Sequence, residues 1–235
     1  MMRTQEIKKK LKRLGNSEHA EVSQRFFKTG PGEYGEGDVF LGIKVPVLRR
    51  IAKEIDALSL QEVKTLLISG IHEERLLALL ILVRIFDMGN DAIRQKVYDL
   101  YLQNTSYVNN WDLVDLSAPN ILGAYLDGKS GAPLYRLARS KNLLERRIAI
   151  MSTFRFIKNG DFSEALRIAE MLLTDREDLI HKAVGWMLRE IGKRHLQAEE
   201  KFLEKYYLKM PRTMLRYAIE KFAEPKRQAY LKGTI

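Results

Sequence analysis

The chain has 235 residues, 46% of them hydrophobic, with 40 Lys and Arg against 30 Asp and Glu, a formal net charge of +10 and no cysteine. That apolar content suffices for a sizeable core, so the chain reads as one folded domain over 1–235 rather than a disordered tail. The missing cysteines exclude disulfides, thiolate zinc sites, iron–sulfur ligation and a cysteine nucleophile, and the positive charge points to a polyanion, with nucleic acid ahead of a membrane surface.

The first residues, MMRTQEIKKKLKRLG, are charged and lack the apolar core of a signal peptide. A cytosolic location is therefore expected. Residues 28–38, KTGPGEYGEGD, hold four glycines and predict a flexible surface loop whose spacing is neither GxGxxG nor a P-loop. The next segment brings a basic run, Lys44, Arg49, Arg50 and Lys53. Residues 76–83 form the longest apolar run, eight residues ended by Arg84, against the roughly 20 needed to cross a bilayer. Within it Leu76, Leu79, Leu80 and Val83 recur at helical spacing. The four histidines, His19, His72, His181 and His195, show no HxxH or HxxxH spacing, so no metal is expected.

Residues 109–126, NNWDLVDLSAPNILGAYL, read as a helix capped by Asn109 or Asn110. At 100° per residue Trp111, Asp115, Ala118 and Leu122 share a face, which sets Asp115 on an apolar stripe one turn beyond an aromatic. Pro119 offers no N–H to the carbonyl of Asp115 and predicts a kink there. Such a carboxylate either sits in an inter-helix salt bridge beside the proline kink or, without that partner, binds a cation or takes up a proton with a raised pKa.

Farther along come Arg146, Arg147, Arg155 and Lys158, then a helix whose core stripe is Ile180, Ala183, Val184, Met187 and Ile191. Trp186 lies well off that stripe, with Lys182 at i−4, Arg189 at i+3 and Lys193 one turn farther on. It can pack on a neighbouring helix pair, or stack on a sugar or base while the cations hold phosphates. Arg212 and Arg216 form a last i, i+4 basic pair behind Pro211, a predicted first helical residue.

Turn chemistry at 15–17, 69–70, 89–91, 128–131, 159–161 and 174–175 separates helices of about 10–17 residues. Arg75, Asp115, Arg147, Lys182 and Arg216 fall at equivalent points of these helices, 40, 32, 35 and 34 residues apart. That period and the short loops predict an all-α fold, a curved solenoid of antiparallel helix pairs in preference to an irregular bundle.

Five segments, FLGIKVPVLRRIAKE (40–54), WDLVDLSAPNILGAYL (111–126), LLERRIAI (143–150), KAVGWMLREIGKR (182–194) and PRTMLRYAIEKF (211–222), resemble the AlkD family of bacterial alkylpurine DNA glycosylases, HEAT-like repeat proteins of the DNA alkylation repair group. The resemblance runs in order from residue 40 to 222 and assigns nothing to Phe26 or Phe27. It implies that Asp115 is the catalytic carboxylate, that Trp111 and Trp186 are aromatic walls around the lesion's deoxyribose, and that Arg147 is the cation beside the carboxylate. It also implies a monofunctional hydrolase of base excision repair that works without a cofactor, as a monomer on duplex DNA. The cations Lys182, Arg189, Lys193, Arg212, Arg216, Lys44 and Arg49 are then expected to hold the DNA backbone. The alternative is a non-catalytic member of the same architecture, a DNA-structure binder or a scaffold for protein partners.

Overall fold

The computed structural model describes residues 4–55 and 58–235, and helix dominates them. The first seven helices are α1 Thr4–Leu14, α2 Ser17–Phe26, α3 Val45–Glu54, α4 Leu60–Leu67, α5 His72–Met88, α6 Asp91–Gln103 and α7 Trp111–Ser117. Asn16 and Asn90 cap α2 and α6 by accepting from the N–H groups of His19 and Ile93, and Ser59 with Glu62 closes a capping box on α4. Each cap satisfies an N–H that has no partner inside its own helix, which is why the turn sequences mark the boundaries. Among the described residues no β-strand forms; Val39 and Ile71 make one isolated bridge.

Two compact units divide the chain, Met1–Ser117 and Ala118–Ile235. In the first, α5 is the hub and packs against α3, α4, α6 and α7. Its apolar residues from Leu76 to Leu82 are buried on every side, which explains a continuous run where an amphipathic helix shows a stripe. The first turn of α5 is the exception, since His72, Glu73, Glu74 and Arg75 are all buried and each needs a partner. Glu73 finds three: its carboxylate accepts from the N–H groups of Leu41, Gly42 and Ile43 at 2.8, 2.7 and 3.1 Å. Gly42 is needed in that turn, because φ is +77° and a Cβ there meets the Asn16 carbonyl oxygen at 2.2 Å. Glu74 pairs with Lys8 of α1 at 2.8 Å.

The second unit opens on a π-helical turn, Pro119–Gly123, followed by α8 Ala124–Leu126, α9 Ala132–Ala138, α10 Leu143–Ser152, α11 Phe154–Lys158 and α12 Ser163–Met171. It continues through α13 Asp178–Gly192, α14 Leu196–Tyr206, α15 Arg212–Ala218 and α16 Glu224–Lys232. Its hub is α13, packed by α10, α11, α12, α14 and α15, with Ile180, Ala183, Val184, Met187 and Ile191 all buried as the periodicity predicts. Gly185 permits the close approach of α15, where a Cβ meets the Met214 carbonyl oxygen at 2.4 Å.

The fold is all-α, and apart from the long connection over 27–44 the helices within each unit follow one another through short loops in the paired order of a HEAT-like array. Arg75 is the fourth residue of α5, and Asp115, Arg147, Lys182 and Arg216 are the fifth residues of α7, α10, α13 and α15. Several elements are shorter than the 10–17 residues expected: α7, α9 and α15 have seven each. Pro211 stands just outside its helix as the N-cap of α15. The proline kink expected in 109–126 takes the form of the π-helical turn, in which the Gly123 N–H reaches back five residues to the Ala118 carbonyl at 2.9 Å.

Candidate functional site

Local chemistry sets up α7. Asn110, rather than Asn109, is the cap: its Oδ1 accepts from the Trp111 N–H at 2.9 Å and its carbonyl from the Val114 N–H at 3.2 Å. The fully buried face of this helix is Leu113, Val114 and Ser117, whereas Trp111, Asp112 and Asp115 are half-buried along its margin. Asp115 is thus beside the apolar stripe and not on it. Ala118 and Leu122, expected on the same stripe, are fully buried.

Behind α7 the buried Tyr101 hydroxyl stands 2.9 Å from Ser117 Oγ, which donates in turn to the Leu113 carbonyl at 2.5 Å. Burial drives the Tyr101 pKa up, the Ser117 hydrogen bond works against it, and the charge of Asp115 adds to the rise. Asp115 therefore has a neutral phenol on its inner side.

The first turn of α7 joins a buried charge cluster that local sequence spacing does not reveal. His72 sits between two carboxylates, with Nδ1 3.0 Å from Asp38 Oδ2 and Nε2 2.9 Å from Asp112 Oδ2. Asp38 also receives Arg75 Nη2 and the side-chain amides of Asn109 and Asn110 at 3.0 and 3.4 Å. Burial alone works to lower the His72 pKa, but the hydrogen bonds to Asp112 and Asp38 and the two negative charges outweigh it and push it up to about 9. Burial works to raise the Asp38 pKa, and there the His72 hydrogen bond, the Arg75 charge and the Asn109 amide prevail and hold it below the usual carboxylate range. Rings close over the cluster: Phe40 stacks on His72 with centroids 4.3 Å apart and on Phe27 at 5.1 Å, and Phe27 and Phe26 reach Trp111 at 5.4 and 6.0 Å.

The expected loop at 28–38 lies largely at the surface, and its last residue is anchored inside. The segment is a chain of turns closed by its own hydrogen bonds, among them Gly30 N–H to Glu33 and Gly32 N–H to Glu36 at 2.9 and 3.0 Å, and it ends on Asp38, which is buried. Its function in the fold is to deliver that carboxylate to His72. The usable sequence signal is the polar run His72 to Arg75 opening the most apolar helix, where burial compels partners.

In the second unit Arg147 is buried on α10 and donates from Nη1 to the Leu179 carbonyl at 2.6 Å. Trp186 is half-buried on α13, 6.1 Å from the ring of Phe154, which itself carries Lys158 over its face at 4.3 Å. The indole Nε1 donates to Glu190 Oε1 at 3.4 Å, and Glu190 also holds Lys193 and Arg194 at 2.5 and 3.0 Å. Burial raises the Glu190 pKa, yet the bonds from Lys193 and Arg194 bring the balance below the usual carboxylate range.

The cations expected beside Trp186 are accordingly engaged. Lys182 pairs with Asp178 at 2.7 Å, Arg189 with Glu220, and Lys193 with Glu190. Arg189 is the least exposed of the three, its side chain only 15% exposed. Helical spacing finds neighbours on one helix and misses the carboxylate that the turn after α15 brings in. Arg212 donates to the Leu231 carbonyl at 2.6 Å while remaining exposed, and Lys44, Arg49 and Arg216 are exposed. Arg146 and Arg155 are paired with Asp175 and Asp127. No helix among the described residues is long and apolar enough to cross a membrane.

Known proteins place the chain. Residues 7–222 match the family described as DNA alkylation repair enzyme. No curated protein matches the sequence. Among solved structures, a predicted DNA alkylation repair enzyme from Enterococcus faecalis is similar with a TM-score of 0.67 at 18% identity, over 89% of this chain and 97% of that one. AlkD2 from Streptococcus mutans follows with a TM-score of 0.56 at 16% identity, over 88% and 99% of the two chains. A second Streptococcus mutans protein, smu.31 of strain UA159, has a TM-score of 0.53 at 17% identity, over 94% and 99%. At these identities the structures show a shared fold, and the match over 7–222 gives the assignment: the chain belongs to the DNA alkylation repair enzyme family.

Proposed function

We propose that the protein is a monofunctional DNA glycosylase that hydrolyses the N-glycosidic bond of N3- or N7-alkylated purines in duplex DNA, acting as a monomer in the cytosol and opening base excision repair. The observation that carries this reading is the margin of α7, where a half-buried carboxylate, Asp115, shares two helical turns with a half-buried indole, Trp111. Family membership supports a DNA substrate.

Alkylation at N3 or N7 leaves the purine cationic, so the base departs neutral when the bond from C1′ to its ring nitrogen breaks and takes the bonding pair with it. No general acid is required. The remaining demand is at the sugar, where C1′ becomes oxocarbenium-like. The Asp115 carboxylate stabilises that charge and orients the water whose oxygen forms the new bond to C1′, its proton passing to the carboxylate or to solvent. Trp111 in the first unit and Trp186 in the second add attraction for the cationic sugar and base, each about 0.5–2 kcal/mol. Arg147 serves as the cation that holds the DNA backbone near the lesion. Lys44 and Arg49, at the start and on the face of α3, and Arg212 and Arg216, on α15, are exposed and supply phosphate contacts.

The test is incubation of the protein with duplexes carrying N3-methyladenine or N7-methylguanine, followed by assay for free base and for abasic sites. Release of free base with intact abasic strands is the expected result. No release from either lesion, with duplex binding retained, overturns the glycosylase reading in favour of a DNA-structure binder.

A further inference from the structure

The buried cluster around His72 is not used by the chemistry above, and its placement gives it a task. The charged groups facing the imidazole are Asp38 from the glycine-rich loop, Asp112 from α7 and, through Asp38, Arg75 from its own helix; the end of α2 and the following segment present the rings of Phe27 and Phe40. The neighbouring Glu73 and Glu74 turn instead to the 41–43 backbone and to Lys8. Asp112 lies directly between Trp111 and the next turn that bears Asp115. Its Oδ1 has no hydrogen-bond partner among the described residues, which leaves His72 Nε2 as the donor on this carboxylate.

A neutral imidazole carries a single N–H. Both contacts are hydrogen bonds only when both ring nitrogens are protonated. On loss of one proton, one carboxylate faces a lone pair. If that carboxylate is Asp112, α7 loses its tie directly; if it is Asp38, the group that receives the Asn109 and Asn110 amides at the start of α7 is repelled. Either tautomer loosens the same helical turn.

We propose that His72 is a positioning residue: bonded through both ring nitrogens to Asp38 and Asp112, it fixes the first turn of α7 and so sets where Trp111 and Asp115 stand, and its deprotonation releases that turn. The catalytic consequence rests on the glycosylase reading, whereas the coupling of His72 to Trp111 does not.

Two readouts separate these. The chain has two tryptophans, so in full-length Trp186→Phe the emission reports Trp111 alone. Its pH dependence is measured beside the His72 ring signals in a nitrogen-15 NMR titration. The expected result is one shared midpoint near pH 9, where the two carboxylates place the imidazole. Asp112→Asn, which keeps an acceptor and removes a charge, shifts both midpoints down by about one to two pH units. Single-turnover release from an N7-methylguanine duplex by the otherwise unaltered chain falls on the same alkaline limb, with duplex affinity changing less than the rate. Trp111 emission that stays flat through the His72 titration, or a midpoint unmoved by Asp112→Asn, overturns the proposal. Release that continues unchanged through the His72 titration overturns the catalytic consequence. A shared titration in a protein that releases no base supports the positioning role while overturning the glycosylase reading.

Discussion

The surroundings of the two indoles differ in how their charges are met. Around Trp111 the charged groups are buried and matched: His72 and Arg75 balance Asp38 and Asp112, and stacked rings exclude water. Around Trp186 the pairs are nearer the surface, such as Lys193 with Glu190, and the buried groups are matched unevenly. Glu199 is 2% exposed, its Oε1 has no hydrogen-bond partner among the described residues, and burial together with the Glu200 charge pushes its pKa up to about 8 against the pull of Arg189. Arg189 itself is committed to Glu220. A buried ion stabilises its neighbours only where its partners are also buried and aimed at it. The His72 cluster meets that condition and Glu199 does not, so the two should answer differently to pH.

The largest contrast concerns Glu199. Its folded-state pKa of about 8 lies above the ordinary carboxylate value, so the folded chain holds a proton that the unfolded chain releases, and stability falls as pH rises from about 4.5 to 8. Glu199→Gln removes the penalty and should raise stability above pH 8 by on the order of 5 kcal/mol. Urea denaturation at pH 5 and pH 8.5 checks this, and equal effects at both pH values sink it.

The His72 cluster has its own window. A folded-state pKa of about 9 against roughly 6.5 for a free imidazole makes its contribution complete below about pH 6.5 and lost as pH rises through 9. The loss is about 3 kcal/mol. In the Glu199→Gln background a thermal melt series from pH 6 to 10 should still show this decline, and Asp112→Asn should move it to lower pH.

Effects at the indole of the second unit are smaller. Trp186→Ala is expected to slow base release by about tenfold, the scale of one cation–π contact, without moving the alkaline limb. A shift of that limb would show that the two halves are not separable as described. Smallest is Arg216→Ala, which should lower duplex affinity a few-fold and reduce the salt slope of binding by about one. Arg189→Ala is expected to leave that slope unchanged, since its guanidinium is already paired.

What the sequence disclosed and what it concealed divide along the same physical line. Period and capping are local, so the helices, the buried stripe of α13 and the repeat register from Arg75 to Arg216 could be read directly. The pairs that organise the site are not local: His72 meets Asp38 and Asp112 across 34 and 40 residues, and Arg189 meets Glu220 across 31. No spacing rule encodes those contacts. Asp115 and Trp111 are legible as residue types on one helix, whereas the π-helical turn after α7 is not, since sequence pattern shows only a proline there.

The central claim is that Asp115 performs the hydrolysis. It is tested most directly by single-turnover release of N7-methylguanine from a duplex by the unaltered chain and by Asp115→Asn, with binding to the same duplex measured in parallel. The account predicts that the substitution lowers the rate by about 10²-fold or more while affinity stays within a few-fold. Equal rates for the two proteins would contradict it.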